Sequence, residues 1–330
     1  MTHNTYHTLS GLATRIPIPN PRPIISYSPI VLQTPNRPAP LQLRVTFPAP
    51  SSSNDKLPII LLSHGMGRSN WLNSLEGYAP LYEFWAAHGF AVILPTHMSS
   101  LFLGVKAPEG KEYWWQDRAD DMVRILDRKE EVETLVAEAV PGLKGRLDWE
   151  RVAVAGHSLG GWTASMLLGA RNTDPRSGEV WFKPEPRIKA GVILGGTGNA
   201  GSDMSEQGKT MIPWYGADFS KMQTNALSLH GDEDVNPYLT IRGSDWHADT
   251  YHHAPGSKDL LVLKGAKHGL GGISGWDTAE GDDSHPERMG LVQRMSLAYL
   301  KSQLYEGDDA WEEACKAFRE IDQGTVESKA

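Results

Sequence analysis

The sequence predicts an α/β fold, with a mostly parallel central sheet, helices on both faces and antiparallel strands at its N-terminal edge. Short apolar runs alternate with helix-like patterns from residue 57 to residue 304, an order typical of parallel sheets. These runs lack the polar–apolar alternation of a half-exposed strand, as expected where helices cover both faces. A chain of 330 residues is long enough to bury a large core.

The N-terminal segment, residues 1–56, is rich in proline, with clusters at 16–23 and 35–40. Between the clusters, residues 24–32 and 41–47 have strand-like composition, and the second stretch alternates cleanly. Proline is tolerated at a sheet edge. We therefore predict that the two stretches pair in antiparallel fashion at such an edge.

The central region supplies the remaining predicted elements. Strands are predicted at 57–62, 90–95, 151–155, 188–194, 226–230 and 260–263. Helices are predicted at 75–88, from 114 to about 135, at 162–170 and at 287–304. The stretch 195–224 has no periodicity, and long loops of this kind are often functional. It is a candidate cap over the site, with a plain surface loop as the alternative; after residue 305 we expect a helix and a frayed tail.

Composition limits the classes of partner. The formal net charge is −8 and no run of Lys or Arg occurs, which argues against nucleic acid and against an anionic membrane surface. No apolar run is long enough to span a bilayer, and the first residues lack a signal-peptide pattern, so we expect a cytoplasmic protein. The single cysteine, Cys315, cannot form an intramolecular disulfide, and we interpret it as an incidental thiol. The oligomeric state is left open.

The most informative motif is Gly156-His157-Ser158-Leu159-Gly160, placed between a predicted strand and a predicted helix. A strand that turns sharply into a helix can hold a serine in a strained, exposed position, and the tight turn requires glycine on both sides. The helix N-terminus presents free N–H groups to that serine. The alternative is a Gly-rich turn without a catalytic role.

A nucleophilic serine needs a base, which is itself oriented by an acid. One known order along the chain is serine, acid, histidine. After the strand that ends near residue 230, Asp232, Glu233 and Asp234 are candidate acids, and Asp232 could instead close the turn by bonding its own backbone. His268 follows the last predicted strand and is the candidate base.

A second loop, Ser63-His64-Gly65-Met66-Gly67, follows the first buried strand. Its backbone must turn tightly and expose N–H groups, which suits one half of an oxyanion hole, with Met66 and Leu159 as the donors. An ordinary βα loop is the alternative. Four residues in segments that leave the same edge of the sheet are predicted to line a substrate pocket: His64, Trp71, His157 and Trp214. A packing role is an equally open alternative for each of them.

One stretch imitates a metal site, because Asp245, His247, Asp249, His252 and His253 follow one another closely. No predicted strand or helix fixes their geometry. We therefore predict a solvated loop and no metal there.

These motifs, together with Ala87-His88-Gly89-Phe90-Ala91-Val92-Ile93, resemble the α/β-hydrolase superfamily over residues 57–304. More narrowly, they are similar to the branch of platelet-activating-factor acetylhydrolases, cutinase-like polyester hydrolases, chlorophyllases and predicted dienelactone hydrolases. The resemblance implies an α/β-hydrolase catalytic domain at 57–304, followed by the helix and tail at 305–330. It also implies no cofactor, Asp234 as the acid, and Met66 and Leu159 as oxyanion donors.

The expected activity is that of a serine esterase, or lipase-like enzyme, acting on a small or medium carboxylic ester. The same triad would also serve a lactonase, an amidase or a cofactor-free perhydrolase. A catalytically silent hydrolase-fold protein that binds a ligand is the alternative outside enzymes. Dienelactone hydrolases carry a cysteine where this chain has Ser158, and chlorophyllases tend to have arginine at the position of Leu159, so neither substrate is inferred.

Overall fold

A computed structural model describes residues 9–50, 56–67, 72–275, 278 and 283–330. Two sheets occur in this part of the chain, one of nine strands and one of three. The strands in chain order are β1 (Ile24–Leu32), β2 (Leu41–Pro48), β3 (Leu57–Ser63), β4 (Ala91–Pro95), β5 (Leu147–His157), β6 (Arg171–Thr173), β7 (Val180–Trp181), β8 (Ile188–Leu194), β9 (Ala217–Asp218), β10 (Asn225–Gly231), β11 (Lys258–Leu263) and β12 (Gly324–Lys329).

The large sheet has the spatial order β1-β2-β4-β3-β5-β8-β10-β11-β12. Strands β4, β3, β5, β8, β10 and β11 are parallel to their neighbours in this series. Strands β1 and β2 pair in antiparallel fashion, and β2 pairs in the same way with β4. The predicted α/β class, with its mostly parallel sheet and antiparallel N-terminal edge strands, is confirmed.

Helices cover both faces of this sheet. They are α1 (Ala79–Ala87), α2 (Trp115–Asp127), α3 (Lys129–Ala139), α4 (Leu159–Leu167), α5 (Glu206–Met211), α6 (Asp249–His252), α7 (Pro286–Leu304) and α8 (Ala310–Ile321). In β3, Ile59 and Leu61 pack into the core shared with α2, α3 and α4, whereas Ile60 and Leu62 pack into the core shared with α1, α7 and α8. Burial on both faces explains why the β3 sequence is apolar throughout.

Three helices differ from their predicted bounds. Helix α4, predicted at 162–170, is Leu159–Leu167. The helix expected from residue 75 begins at Ala79, because Tyr78 has a left-handed backbone (φ 68°) and Pro80 occupies the first turn. The helix expected from 114 to 135 is two helices, α2 and α3, separated at Arg128 (φ −111°, ψ 30°). The apolar periodicity continues across Arg128, so the sequence pattern did not reveal the break.

The stretch 195–224 contains regular structure. It includes a 3-10 turn at Gly201–Asp203, helix α5 and strand β9, which pairs with β6 beside β7 in the small sheet. Trp214 and Phe219 from this stretch are buried in the core on the α4 face. Its role as a cap stays a prediction.

The end of the chain forms strand β12, which pairs in antiparallel fashion with β11. The expectation of a frayed tail is wrong at these residues. Strand β11 would otherwise present unpaired N–H and C=O groups at the sheet edge, and β12 satisfies them through its backbone. Backbone pairing needs no apolar run, which explains why a polar sequence such as Gly324–Lys329 forms a strand.

The buried thiol of Cys315 gives a simple test of this packing. Its side chain lies under the α7–α8 face, the residue is 5 % exposed, and burial raises the pKa of the thiol to about 12. The thiolate is the reactive form, so at pH 8 we expect the native protein to react with a disulfide reagent at least about 100-fold more slowly than the guanidinium-denatured chain. Equal reaction rates in the native and the denatured protein would show that the Cys315 thiol is accessible and that the α7–α8 face does not cover it.

None of the helices that the structure describes is both long enough and apolar enough to cross a bilayer.

Candidate active site

Ser158 lies at the junction of β5 and α4, near the middle of the sheet. Its backbone angles are φ 56° and ψ −121°, a conformation that costs a non-glycine residue free energy. A Cβ atom on Gly156 would come within 2.0 Å of the Gly160 carbonyl oxygen, so the turn closes only with glycine there. Leu159 is the first residue of α4, and the N–H groups of a first helical turn have no partner within the helix.

Asp234 and His268 meet beside this turn. Asp234 follows β10 and His268 follows β11, and the Nδ1 atom of His268 is 3.0 Å from both carboxylate oxygens of Asp234. Asp232 accepts a hydrogen bond from the Gly265 N–H at 2.6 Å. Of the two aspartates weighed from the sequence, Asp234 is the one that contacts His268, and Asp232 holds the neighbouring loop.

The surroundings of Asp234 keep it ionised. The residue is 1 % exposed, and burial alone would raise the pKa of its carboxyl. Electrostatic attraction to His268 in its protonated form, the hydrogen bond from His268 and the proximity of His247 more than offset this, so the pKa of Asp234 lies below its usual range. His247 Nε2 is 3.3 Å from Asp234 Oδ1, and His247 Nδ1 donates to the Gly196 carbonyl at 2.5 Å. The sequence did not indicate this second histidine beside the acid.

The loop Ser63–Gly67 approaches the serine closely. A Cβ atom on Gly65 would lie 3.4 Å from the Cβ of Ser158 and 2.8 Å from the Tyr78 hydroxyl. Met66 directly follows Gly65 in this loop. The structure therefore brings the loop that carries Met66 and the helix that begins at Leu159 to the same serine.

A chain of hydrogen bonds joins this loop to His268. The Gly65 N–H donates to the Tyr78 hydroxyl at 2.9 Å, and Tyr78 donates to Nδ1 of His157, also at 2.9 Å. Nε2 of His157 donates to the main-chain carbonyl of His268 at 2.8 Å. A carbonyl only accepts, so the proton must be on Nε2. Burial lowers the pKa of His157 to about 3, which keeps the ring neutral. The carbonyl acceptor then selects the tautomer that has its proton on Nε2.

We expect Tyr78→Phe to reduce both stability and turnover. The change leaves the Gly65 N–H and the His157 ring nitrogen buried without this partner, which costs about 1–3 kcal/mol of unfolding free energy. Since it also frees the loop that carries Met66, kcat should fall by about tenfold for an ester substrate. Denaturant unfolding and steady-state kinetics measure the two effects.

A matched control is Tyr299→Phe, because Tyr299 is also buried but packs in α7 against Trp311. This control should leave kcat unchanged. If the two variants behaved alike in kcat, the Tyr78 hydroxyl would have no role in the site.

The predicted pocket residues are placed differently from one another. His64 is fully buried; its Nδ1 donates to the Gly65 carbonyl at 2.8 Å, and its Nε2 accepts the His97 N–H at 3.2 Å. His157 is buried in the chain of hydrogen bonds described above. Trp214 is fully buried and stacks on Trp115 with ring centroids 4.8 Å apart. Trp71 lies outside the described residues.

An open cleft of about 300 Å³ adjoins Met66. Its walls come from Met66 in the loop after β3, from the loop after β4 and from the residues before α2. They are Met66, Ser99, Ser100, Leu101, Gly104, Val105, Lys106, Ala107, Tyr113 and Trp114. Trp114 lines this cleft, whereas Trp214 packs in the core.

Three side chains at the site have the donor atoms of a metal site. The ligand atoms of Asp234, His247 and His268 lie within 4.8 Å of one another, and two imidazoles with a carboxylate form a set that zinc accepts. A metal on Nδ1 of His268 would replace the proton that this nitrogen donates to Asp234.

The prediction of a solvated loop at 245–253 is wrong, because the stretch forms a 3-10 turn at Ser244–Ala248 followed by helix α6, and His247 and Asp249 are buried. Arg242 binds the carboxylates of Asp245 and Asp249 at 2.7 Å and 2.9 Å, while His247 faces Asp234.

A search against models of known protein families gives no match for this chain.

Proposed function

We propose that the chain is a serine hydrolase of the α/β-hydrolase superfamily that cleaves a small or medium carboxylic ester. The observation that carries the proposal is the positive φ of Ser158 at a strand-to-helix turn. Non-glycine residues held in sparsely populated backbone conformations cluster at active sites, and the ψ of −121° takes Ser158 outside the left-handed helical region as well. The contact between His268 and Asp234 beside that turn supports the same interpretation.

The mechanism has two halves. His268 accepts the Ser158 proton, the serine oxygen attacks the ester carbonyl carbon, and the alcohol leaves with the proton held on His268. Water then attacks the acyl-enzyme, with His268 again as the base, and the carboxylic acid leaves. Asp234 orients the imidazole and stabilises its positive form without accepting the proton.

The tetrahedral intermediates carry a negative charge on the former carbonyl oxygen. The main-chain N–H groups of Met66 and Leu159 would donate to that oxygen, and the dipole of α4 favours negative charge at its N-terminus. No cofactor takes part in this chemistry. The cleft beside Met66 is the proposed place for one arm of the substrate.

The three sequence motifs favour the branch of platelet-activating-factor acetylhydrolases and cutinase-like polyester hydrolases within the superfamily. This finer assignment belongs to the proposal, as does the choice of an ester over a lactone or an amide. The choice among an ester, a lactone and an amide depends on the shape of the acyl pocket.

A series of p-nitrophenyl esters with increasing acyl length tests the proposal, together with a fluorophosphonate probe. We expect hydrolysis that falls off beyond the chain length the cleft admits, and a probe adduct located on Ser158 by mass spectrometry. Turnover of lactones or anilides above esters would favour the alternative enzymes. If neither turnover nor a probe adduct were found, the proposal that the chain is a hydrolase would be refuted, and a ligand-binding protein would be favoured.

A further inference from the structure

Arg118 occupies an unusual position on helix α2. Its side chain is fully buried, where an arginine is rare unless it is well bonded. Its guanidinium donates to oxygen atoms of three other parts of the chain: Ser63 and His64 at the end of β3, Ser99 after β4, and Thr163 in α4. All of these acceptors are neutral.

One set of these bonds holds the loop that carries Met66. Nη2 of Arg118 donates to the carbonyl oxygen of His64 and, at 3.2 Å, to the hydroxyl of Ser63. Ser63 Oγ also lies 3.0 Å from Nε2 of His97. The peptide of His64 directly precedes Gly65 and Met66, so these bonds fix where the loop leaves the strand.

The other set holds the helix that begins at Leu159. Nε of Arg118 donates to the hydroxyl of Thr163 at 3.0 Å. That hydroxyl in turn donates to the carbonyl oxygen of Leu159 at 3.1 Å. A single guanidinium thus connects the loop before Met66 to the first residue of α4.

We propose that Arg118 is a positioning residue that sets the spacing between the two oxyanion donors, the N–H groups of Met66 and Leu159. The inference rests on the proposed serine hydrolase function. Arg118 lies beneath the site and acts through His64 and Thr163 without contacting substrate.

Arginine suits this role because its planar guanidinium presents donors in fixed directions, whereas an ammonium group is a single mobile point of charge. Burial lowers the pKa of Arg118 to about 9, so the group still carries its proton at neutral pH. Oxyanion stabilisation depends on donors placed within a few tenths of an ångström, and misplacement by about 1 Å can cost about 100-fold in rate.

The first test is Arg118→Lys, measured with the ester that the wild type hydrolyses best. We expect kcat to fall about 10- to 100-fold while KM changes less than about threefold. Affinity for a trifluoromethyl ketone, which forms a tetrahedral oxyanion on the serine, should fall by the same factor as kcat/KM. The control is Arg294→Lys, since Arg294 is also buried but donates to the carbonyl of Ile16, away from the Met66 loop and helix α4. It should lower the melting temperature and leave kcat unchanged.

A second pair of variants covers the case in which Arg118→Lys fails to fold. Thr163→Val keeps the shape of the side chain but removes the hydroxyl between Arg118 and Leu159, and should lower kcat about 3- to 10-fold. Thr163→Ser keeps the hydroxyl and should restore kcat to within about twofold of the wild type.

The outcomes separate the two proposals. If the wild type hydrolyses esters but the Arg118 and Thr163 variants keep its kcat and its affinity for the ketone, the positioning role is overturned and the hydrolase function stands. If the wild type neither turns over esters nor labels at Ser158, the hydrolase function fails and the role of Arg118 fails with it.

Discussion

Ser158→Ala is expected to lower kcat/KM for p-nitrophenyl esters by at least about 1000-fold, because it removes the oxygen atom proposed to attack the carbonyl. Loss of the nucleophile in comparable triads costs up to about a millionfold in kcat. The same substitution should abolish covalent labelling by a fluorophosphonate. Steady-state kinetics and intact-protein mass spectrometry measure the two effects.

Folding should be nearly unaffected by this change, since alanine at φ 56° carries the same backbone strain as serine. Ser158→Gly gives an independent readout, because glycine tolerates positive φ and should raise the unfolding free energy by about 1 kcal/mol while it abolishes turnover. Ser177→Ala, in an exposed loop, is the control for both. Undiminished turnover in Ser158→Ala would rule out Ser158 as the nucleophile.

The strands of the central sheet were predictable because burial on both faces leaves a direct signature in the sequence. Predicted strands at 57–62 and 188–194 correspond to β3 and β8, whose bounds are Leu57–Ser63 and Ile188–Leu194. The positions of the candidate acids and of His268 after neighbouring parallel strands were predictable, whereas the choice of Asp234 came from the resemblance and the catalytic roles stay predictions. Pairing of β10 with β11 places Asp234 and His268 together at one edge of the sheet.

The polar network beneath the site was harder to predict. Arg118 lies three residues after Trp115 and four before Met122 on the buried stripe of α2, and a charge on an apolar stripe is a signal that sequence reasoning overlooked. Tyr78 gave no such signal. Its position against His157 depends on a left-handed backbone and on contacts between residues distant in the chain, which no local pattern contains.

The C-terminal edge strand β12 and the break between α2 and α3 are further features without a local signature. Strand β12 forms because β11 offers it a backbone partner, and its own sequence is polar. The role of Trp214 had no local signature either: the sequence left a pocket role and a packing role equally open, and the structure stacks Trp214 on Trp115 in the core. Composition records that a residue is apolar, whereas tertiary packing decides what covers it.

Gly160→Ala is expected to destabilise the fold by several kcal/mol. A Cβ atom on Gly160 would lie 2.0 Å from the Ser63 carbonyl oxygen and 2.8 Å from that of His64. Both are main-chain atoms, so helix α4 and the loop that carries Met66 would have to separate. Replacing glycine by alanine inside a helix ordinarily adds about 1 kcal/mol of stability, and the overlap should outweigh that gain, since overpacking costs about 1–3 kcal/mol or more. Denaturant unfolding measures whether the free energy of unfolding falls or rises on this substitution.

The informative control is Gly145→Ala. Gly145 has φ +73° and nothing within 4 Å of an added Cβ, so its substitution tests backbone strain without a clash and should cost about 1 kcal/mol. If Gly160→Ala proved as mild as this control, the close approach of α4 to the end of β3 would not be a property of the folded protein. A large loss of unfolding free energy for Gly160→Ala, together with a small loss for Gly145→Ala, would instead show that the tight contact between α4 and the Met66 loop contributes to the stability of the folded protein.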